Sequence, residues 1–228
     1  MRFETILFDL DGTLTESAPG ITKSIQYALK EVLNIEASLQ DLECFVGPPL
    51  NEAFPAHYGT DEATTIELIR KFRERFETIG IYENALYPGI AQMLSALYSA
   101  DIRLAVASSK PEHFVHRILE YFDVYRYFSS AIGSSPDGEL SEKGEKNTAR
   151  SEKDLIVESS LLSMGIRKED YSRVAMVGDR HYDIQGAHAN GIYAVGVSYG
   201  YGSAQELKEA GADFIAPSVQ ELQAFLLS

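Results

Sequence analysis

The sequence has few of the features that mark secreted or membrane-spanning proteins. It contains one cysteine, Cys44, so neither an intrachain disulfide nor a cysteine cluster for zinc or iron–sulfur chemistry can form. No run of about 18 apolar residues occurs, and the N-terminal residues show no signal-peptide pattern. These absences favour a reducing compartment, so we expect a cytoplasmic protein.

Basic residues are also scarce. The chain has 20 Lys and Arg against 34 Asp and Glu, which gives a formal net charge of -14, and no basic stretch offsets it. This charge repels nucleic acids and anionic membranes, so neither is an expected partner. It also repels anionic small molecules. A phosphate ester would therefore need a local positive centre, such as a metal ion and a lysine.

The 228 residues, 45% of them apolar, suffice for a main globular domain with a smaller inserted one. Short apolar runs that end in Ser, Gly or Asp predict buried parallel strands at residues 5–8, 102–107, 174–177 and 193–197. Helical patterns alternate with them at residues 90–99, 112–121, 153–164, 183–190 and 203–210. The alternation predicts a doubly wound α/β fold with a mostly parallel, Rossmann-like sheet.

One long stretch, residues 21–79, departs from this alternation. Its apolar residues recur at helical spacing without a convincing strand, which predicts a helical insert. We therefore divide the chain into an α/β core of residues 1–14 and 86–228 and a helical domain of residues 15–85. The polar, glycine-containing residues 134–152 predict an exposed, mobile loop.

The first predicted strand ends in two carboxylates, Asp9 and Asp11, which can face one side of the chain. Ligands of open α/β sheets bind beyond the carboxyl ends of the strands, and Gly12 allows a close approach of the backbone there. A divalent cation would relieve the repulsion between the carboxylates and neutralise an incoming phosphate. Asp9 could then attack phosphorus, while Asp11 gives a proton to the leaving alcohol and later takes one from water.

Two other predicted strands end in residues of complementary chemistry. Asp179 and Asp183 lie one helical turn apart, a spacing that could bracket a metal ion. After the strand at residues 102–107, two serines and a lysine offer hydroxyl, amide and ammonium groups to phosphate oxygens. The candidate substrate-binding residues of these loops are Gly12, Thr13, Ser108, Ser109 and Lys110. Together the three strand ends predict a metal-assisted phosphoryl-transfer site.

These motifs resemble those of the haloacid dehalogenase-like hydrolases, particularly the phosphoglycolate phosphatase-like and 5'-nucleotidase-like branch. Residues 8–14 (FDLDGTL) resemble the first family motif, Ser108 the second, and residues 178–179 with Asp183 the fourth. The later YGYG segment, residues 199–202, is most similar to the nucleotidase-like branch. The resemblance covers nearly the whole chain, but the branches share these motifs, so it leaves the substrate open.

The resemblance also implies roles for the acidic residues. Asp9 would be the nucleophile and Asp11 the acid/base. Mg²⁺ would be held by the Asp9 carboxylate, the Asp11 backbone carbonyl and Asp179, with support from Asp183. The helical domain would be the small cap domain that closes over the site of such enzymes.

The third motif of the family is a lysine, and here the sequence departs from the phosphoglycolate phosphatase pattern. No Lys-Pro-x-Pro segment follows Ile132. We assign the lysine to Lys153, which stands three residues before Ile156 at the start of a helical pattern, as in the nucleotidase-like branch. Lys143 and Lys146 remain the alternatives.

The sequence thus predicts two-step hydrolysis of a small-molecule phosphate monoester, such as phosphoglycolate or a nucleoside 5'-monophosphate, with Mg²⁺ as cofactor. A sugar phosphomutase is an alternative because it forms the same aspartyl-phosphate. A response-regulator-like phosphoacceptor module is a non-enzymatic alternative, although the helical insert and Asp11 argue against it. We expect a monomer or homodimer.

Overall fold

The computed structural model describes the chain except for Met1 and residues 135–150. The described residues divide into two compact units, of which the second is formed by residues 16–85. The first unit comprises residues 2–15, 86–134 and 151–228. Nearly all of the loop predicted at residues 134–152 lies outside the described residues. Within the described part of the chain, no helix is long and apolar enough to cross a membrane.

A six-stranded sheet forms the centre of the first unit, with the strand order β5-β4-β1-β6-β7-β8. The strands of the chain are β1 (Thr5–Phe8), β2 (Thr15–Glu16), β3 (Ala85–Leu86), β4 (Arg103–Pro111), β5 (Phe128–Ser134), β6 (Val174–Gly178), β7 (Tyr193–Val197) and β8 (Phe214–Ala216). Every neighbouring pair in the six-stranded sheet is parallel, which confirms the predicted fold class. The short strands β2 and β3 form a separate two-stranded sheet.

Six helices of the first unit alternate with its strands. They are α4 (Ile90–Ser99), α5 (Glu112–Tyr121), α6 (Glu152–Ser163), α7 (His181–Ala189), α8 (Ala204–Glu209) and α9 (Val219–Leu226). The central strands β1 and β6 are buried along their whole length. This burial explains why they read as continuous apolar runs in the sequence. On one side of the sheet, Leu7 and Met176 join Leu161, Ile184 and Leu207 in a single hydrophobic cluster.

The second unit is helical, as the apolar periodicity predicted. Its α-helices are α1 (Ala18–Leu33), α2 (Leu50–Tyr58) and α3 (Glu62–Phe76), with 3₁₀ turns at Gln40–Phe45 and Gly80–Tyr82. The buried face of α1 includes Ile25 and Leu29, and that of α3 includes Leu68 and Phe72. Pro49 stands just before α2 and marks the break between helices.

Candidate active site and metal centre

Three buried carboxylates meet at the carboxyl ends of β1 and β6. Asp9 follows β1, Asp179 follows β6, and Asp183 lies in the first turn of α7. The two strands are neighbours with Phe8 opposite Val177, so the residues after them lie side by side. Each carboxylate has an oxygen atom within 4.8 Å of an oxygen of each of the others. The structure therefore brings together the three carboxylates predicted to hold the metal ion, whereas the predicted contribution of Asp11 was its backbone carbonyl.

Lys153 enters this cluster from the start of α6. The helix begins with a capping box, in which the Ser151 hydroxyl accepts from the Asp154 amide while the Asp154 carboxylate accepts from the Ser151 amide. This cap fixes Lys153 in the first helical turn. The alternatives Lys143 and Lys146 lie outside the described residues.

The Lys153 ammonium makes three short contacts in the centre of the cluster. Its Nζ atom lies 2.7 Å from Asp9 Oδ1, 2.7 Å from Asp183 Oδ1 and 3.0 Å from the carbonyl oxygen of Ala107. Only 4% of the side chain is exposed. The ammonium donates to Asp9 and to the Ala107 carbonyl and forms an ion pair with Asp183, so Lys153 is well placed to balance negative charge beside Asp9.

Burial dominates the electrostatics of the carboxylates. It raises the pKa of Asp9 to about 6, because the opposing effect of Lys153 is only partial and the charges of Asp183 and Asp11 add to the rise. Burial likewise raises the pKa of Asp179 to about 8, with contributions from the charges of Asp183 and Asp9. For Lys153, burial would lower the pKa, but the charges of Asp183 and Asp9 hold it above the usual value.

The donor set fits a divalent metal ion. Three carboxylates share a buried site with the Lys153 ammonium, which contacts Asp9 and Asp183 and can balance only one of the three negative charges when all three carboxyls are ionised. Mg²⁺ prefers oxygen ligands and would remove this surplus. Burial is the main reason for the raised pKa values of Asp9 and Asp179, and the charges of the neighbouring carboxylates add to the rise.

Asp11 is held by the lysine that follows the predicted serine pair. Lys110 Nζ lies 2.6 Å from Asp11 Oδ2, and only 7% of the lysine side chain and 13% of the aspartate side chain are exposed. The other oxygen, Asp11 Oδ1, is buried and has no hydrogen-bond partner among the described residues. Lys110 was predicted to bind substrate, and its observed contact is to the predicted acid/base.

The loop after β1 packs directly against Asp179. Gly12 has a φ of +82°, and a Cβ atom at this position would lie 2.2 Å from Asp179 Oδ2, so both the conformation and the space require glycine. The buried Thr13 hydroxyl donates to Asp179 Oδ1 at 3.4 Å. Both residues were predicted to bind substrate, and here they contact a predicted metal ligand.

Ser108 and Ser109 lie near the end of β4, which neighbours β1 in the sheet. Ser108 is buried, and its hydroxyl oxygen accepts from the Lys110 amide at 3.4 Å. Ser109 is half-buried. The register pairs Phe8 with Val106, so the serines lie at the same edge of the sheet as Asp9. Their role in substrate binding stays a prediction.

Sequence reasoning missed part of the site. The Tyr201 amide donates to Asp179 Oδ2 at 2.7 Å, and Glu206 contacts the turn between Asp179 and Asp183. No role was assigned to either residue. The alternation of tyrosine and glycine at residues 199–202 was the available signal, because closely spaced glycines indicate a close approach of the backbone.

Comparisons with known proteins agree with this geometry. A family model described as haloacid dehalogenase-like hydrolase matches residues 6–197. A 5'-nucleotidase from Pseudomonas aeruginosa is 41% identical over 91% of this chain and 88% of its own length. A tyrosine-protein kinase PtkA from Mycobacterium tuberculosis is 35% identical over 98% of this chain and 72% of its own. A phosphoglycolate phosphatase from Salmonella typhimurium is 27% identical over 95% of this chain and 90% of its own.

Among solved structures, the fold is similar to that of a predicted phosphatase from Clostridium acetobutylicum. The TM-score is 0.88 and the sequence identity 42%, over 100% of this chain and 99% of that one. A putative phosphatase from Clostridium difficile gives a TM-score of 0.86 and 40% identity over 99% of both chains. The likeness therefore extends over both units of the chain.

Proposed function

Because the chain belongs to the haloacid dehalogenase-like hydrolases, we propose that it is a Mg²⁺-dependent phosphatase that forms an aspartyl-phosphate on Asp9. Family membership makes it a hydrolase, and the phosphatases among its relatives are consistent with hydrolysis of phosphoric monoesters. The single observation that carries the proposal is the buried cluster of Asp9, Asp179 and Asp183 around the Lys153 ammonium.

In this proposal Mg²⁺ is held by the carboxylates of Asp9 and Asp179 and the backbone carbonyl of Asp11, with Asp183 in support. An ion bound there would supply positive charge to offset the surplus negative charge and to polarise the phosphoryl oxygens. Lys153 stays charged, because Asp183 and Asp9 hold its pKa above the usual value, and it stabilises the ionised carboxylate of Asp9. Ser108, Ser109 and the loop at Gly12 and Thr13 orient the phosphate.

The reaction then has two steps. A carboxylate oxygen of Asp9 attacks phosphorus, the bond from phosphorus to the ester oxygen breaks, and the leaving oxygen takes a proton from Asp11. In the second step a water molecule gives its proton to Asp11, and its oxygen attacks the phosphorus of the aspartyl-phosphate. The bond to Asp9 breaks, inorganic phosphate leaves, and both carboxyl groups return to their starting states.

For the substrate we propose nucleoside 5'-monophosphates ahead of phosphoglycolate. The chain is 41% identical to the Pseudomonas 5'-nucleotidase and 27% identical to the Salmonella phosphoglycolate phosphatase. In the proposed domain division, with the core at residues 1–14 and 86–228, the helical domain of residues 15–85 acts as the cap that selects the leaving group.

The test is phosphate release from a panel of nucleoside monophosphates, phosphoglycolate and sugar phosphates, with Mg²⁺ or EDTA. Asp9→Asn should lower kcat by at least roughly a thousandfold. The control is Asp123→Asn, since the Asp123 side chain is 79% exposed. Borohydride reduction converts an aspartyl-phosphate to homoserine with loss of phosphate, so mass spectrometry of the reduced protein should find homoserine at position 9. Comparable turnover by Asp9→Asn would contradict the assignment.

Two other outcomes would redirect the proposal. Isomerisation of a sugar phosphate without phosphate release would indicate a phosphomutase. A phosphoryl group that stays on the protein without turnover would indicate a phosphoacceptor module. The similarity to PtkA suggests one further assay, in which the protein is incubated with ATP labelled in its γ-phosphate and a tyrosine-containing peptide. Labelling of the peptide would establish phosphoryl transfer to tyrosine as the activity.

A further inference from the structure

One segment that contains none of the predicted site residues contacts both loops that carry the metal-site carboxylates. This bracing segment, residues 199–206, runs from the end of β7 into α8. At its start, the Tyr199 hydroxyl donates to the carbonyl oxygen of Thr13 at 3.0 Å. Two residues later, the Tyr201 amide donates to Asp179 Oδ2 at 2.7 Å. The segment therefore links the loop after β1 to the loop after β6.

Glu206 anchors the far end of the bracing segment. Its Oε1 atom accepts from Arg180 Nε at 2.9 Å, from the His181 amide at 3.0 Å and from His181 Nδ1 at 2.7 Å. Arg180 and His181 stand between Asp179 and Asp183, so one carboxylate oxygen fixes both the backbone and the side chains of the turn joining these two acids. Because a carboxylate only accepts, Nδ1 must carry the proton in this contact.

The position of Glu206 is itself fixed. The Ser203 hydroxyl caps α8 by accepting from the Glu206 amide at 3.0 Å. The Glu206 side chain is 26% exposed, so solvent only partly weakens its contacts. The carboxylate does not belong to the cluster of Asp9, Asp179 and Asp183, and it reaches the site through Arg180 and His181.

Two glycines allow the bracing segment to lie against the site. A Cβ atom on Gly202 would lie 1.8 Å from the Asp179 carbonyl oxygen. One on Gly200 would lie 2.2 Å from the Gly12 carbonyl oxygen and 2.5 Å from Asp179 Cβ. These are contacts with the backbone of both loops, which cannot give way as a flexible side chain could. Glycine at both positions therefore allows the bracing segment to lie close to both loops.

We propose that residues 199–206 position the metal-site loops, with Glu206 and Tyr199 as positioning residues that fix the carboxylates without binding the metal. The inference rests on the proposed function, since it assigns the loops to a Mg²⁺ site. Outer partners that orient the ligands of a metal are worth roughly 10- to 100-fold in metal affinity or activity. Loss of Glu206 should therefore weaken Mg²⁺ binding while every carboxylate of the cluster remains.

The experiment measures the Mg²⁺ dissociation constant by isothermal titration calorimetry on the full chain. Glu206→Ala should raise the Kd roughly tenfold, and Glu206→Gln should raise it less, because its amide oxygen can still accept from the His181 amide. The matched control is Glu209→Ala on the same helix, because the Glu209 side chain contacts Gln205, away from the site. At saturating Mg²⁺ the kcat of both Glu206 variants should return towards the wild-type value.

Tyr199→Phe tests the other end of the segment. It removes only the hydroxyl that donates to Thr13, and it should raise the Mg²⁺ Kd above that of Tyr193→Phe. Tyr193 is the matched control, because its hydroxyl donates to the Asp213 carbonyl oxygen at 3.2 Å. The thermal unfolding midpoint in EDTA, measured for all variants, separates loss of affinity from loss of stability.

The inference is overturned if Glu206→Ala and Tyr199→Phe bind Mg²⁺ with the Kd of their controls while the wild type binds normally. It is also overturned if the Kd changes merely follow the loss of thermal stability across all variants. If the wild type neither binds Mg²⁺ nor releases phosphate, the proposed function fails and the inference fails with it. If the wild type releases phosphate and the variants bind like their controls, only the inference fails.

Discussion

Replacing Lys153 by methionine removes an ammonium that contacts the acidic cluster and keeps a side chain of similar length. Lys153 lies 2.7 Å from both Asp9 and Asp183, and 4% of its side chain is exposed. Removing one partner of such a buried ion pair destabilises a protein by about 3–5 kcal/mol, because it leaves uncompensated charge in a low dielectric. Proton uptake by the remaining carboxyls limits the loss, so we expect about 3 kcal/mol at pH 8.

The pH dependence of this loss follows from the raised pKa values. Asp179 titrates near pH 8 in the folded protein against 3.8 in the unfolded chain, so the folded state binds more protons between these values. Stability then falls as the pH rises through that window. Without Lys153, the pKa of Asp9 rises further, which steepens the fall. The destabilisation by Lys153→Met should therefore be smaller at pH 5.5 than at pH 8.

The assay is urea unfolding followed by circular dichroism, in EDTA and in saturating Mg²⁺, at both pH values. Mg²⁺ supplies the missing positive charge, so it should recover a large part of the lost stability at pH 8. The control is Lys168→Met, since Lys168 is exposed in the first unit. If Lys153→Met is as stable as this control in EDTA at pH 8, the buried charge balance described above is wrong.

Three further substitutions test separate parts of the site. Asp179→Asn should raise the Mg²⁺ Kd at least roughly tenfold. It should also raise the urea midpoint in EDTA at pH 8, because it removes a buried charge. Equal urea midpoints for this variant and the wild type would contradict the prediction. Lys110→Met should lower kcat roughly tenfold and leave the Mg²⁺ Kd in calorimetry unchanged, since Lys110 pairs with Asp11. A shifted Mg²⁺ Kd would refute this prediction. Gly12→Ala should destabilise the protein by about 1–3 kcal/mol and weaken Mg²⁺ binding in calorimetry. Gly165→Ala is the control, because Gly165 also has a positive φ, +66°, but no atom lies within 4 Å of a Cβ placed there. This control should leave the Mg²⁺ Kd unchanged.

The central strands of the sheet were predictable because their burial shows in the local sequence. Strands β1 and β7 match their predicted ranges, since parallel strands buried on both faces read as unbroken apolar runs. Strands β5 and β8 were missed for a related reason. β5 mixes buried and exposed residues at one edge of the sheet, and β8 has three residues at the other edge. Edge strands carry no such run, so periodicity cannot reveal them.

The candidate site likewise contains features that a short sequence segment predicts and contacts that depend on distant residues. The positions of Asp9, Asp11, Asp179 and Asp183 at one edge of the sheet were predictable because strand ends and helix first turns are local features. The pairing of Lys110 with Asp11 joins residues 99 positions apart and depends on the β1–β4 register, which no single segment encodes. The Tyr201 contact is harder still to predict, because a backbone amide donates and nearly any residue type supplies one.

The distribution of charge explains how so acidic a chain can handle an anionic substrate. A net charge of -14 repels phosphate at long range, but exposed charges are screened beyond about 10 Å at moderate salt. Lys153 and Lys110 are nearly buried beside Asp9 and Asp11, where screening is weak and each positive charge acts at close range. Two lysines cannot balance four ionised aspartates, so the remaining charge must be compensated by bound protons or, as we propose, by a bound cation. If the proposed function is correct, substrate affinity should depend on occupancy of the metal site more than on the net charge of the protein surface.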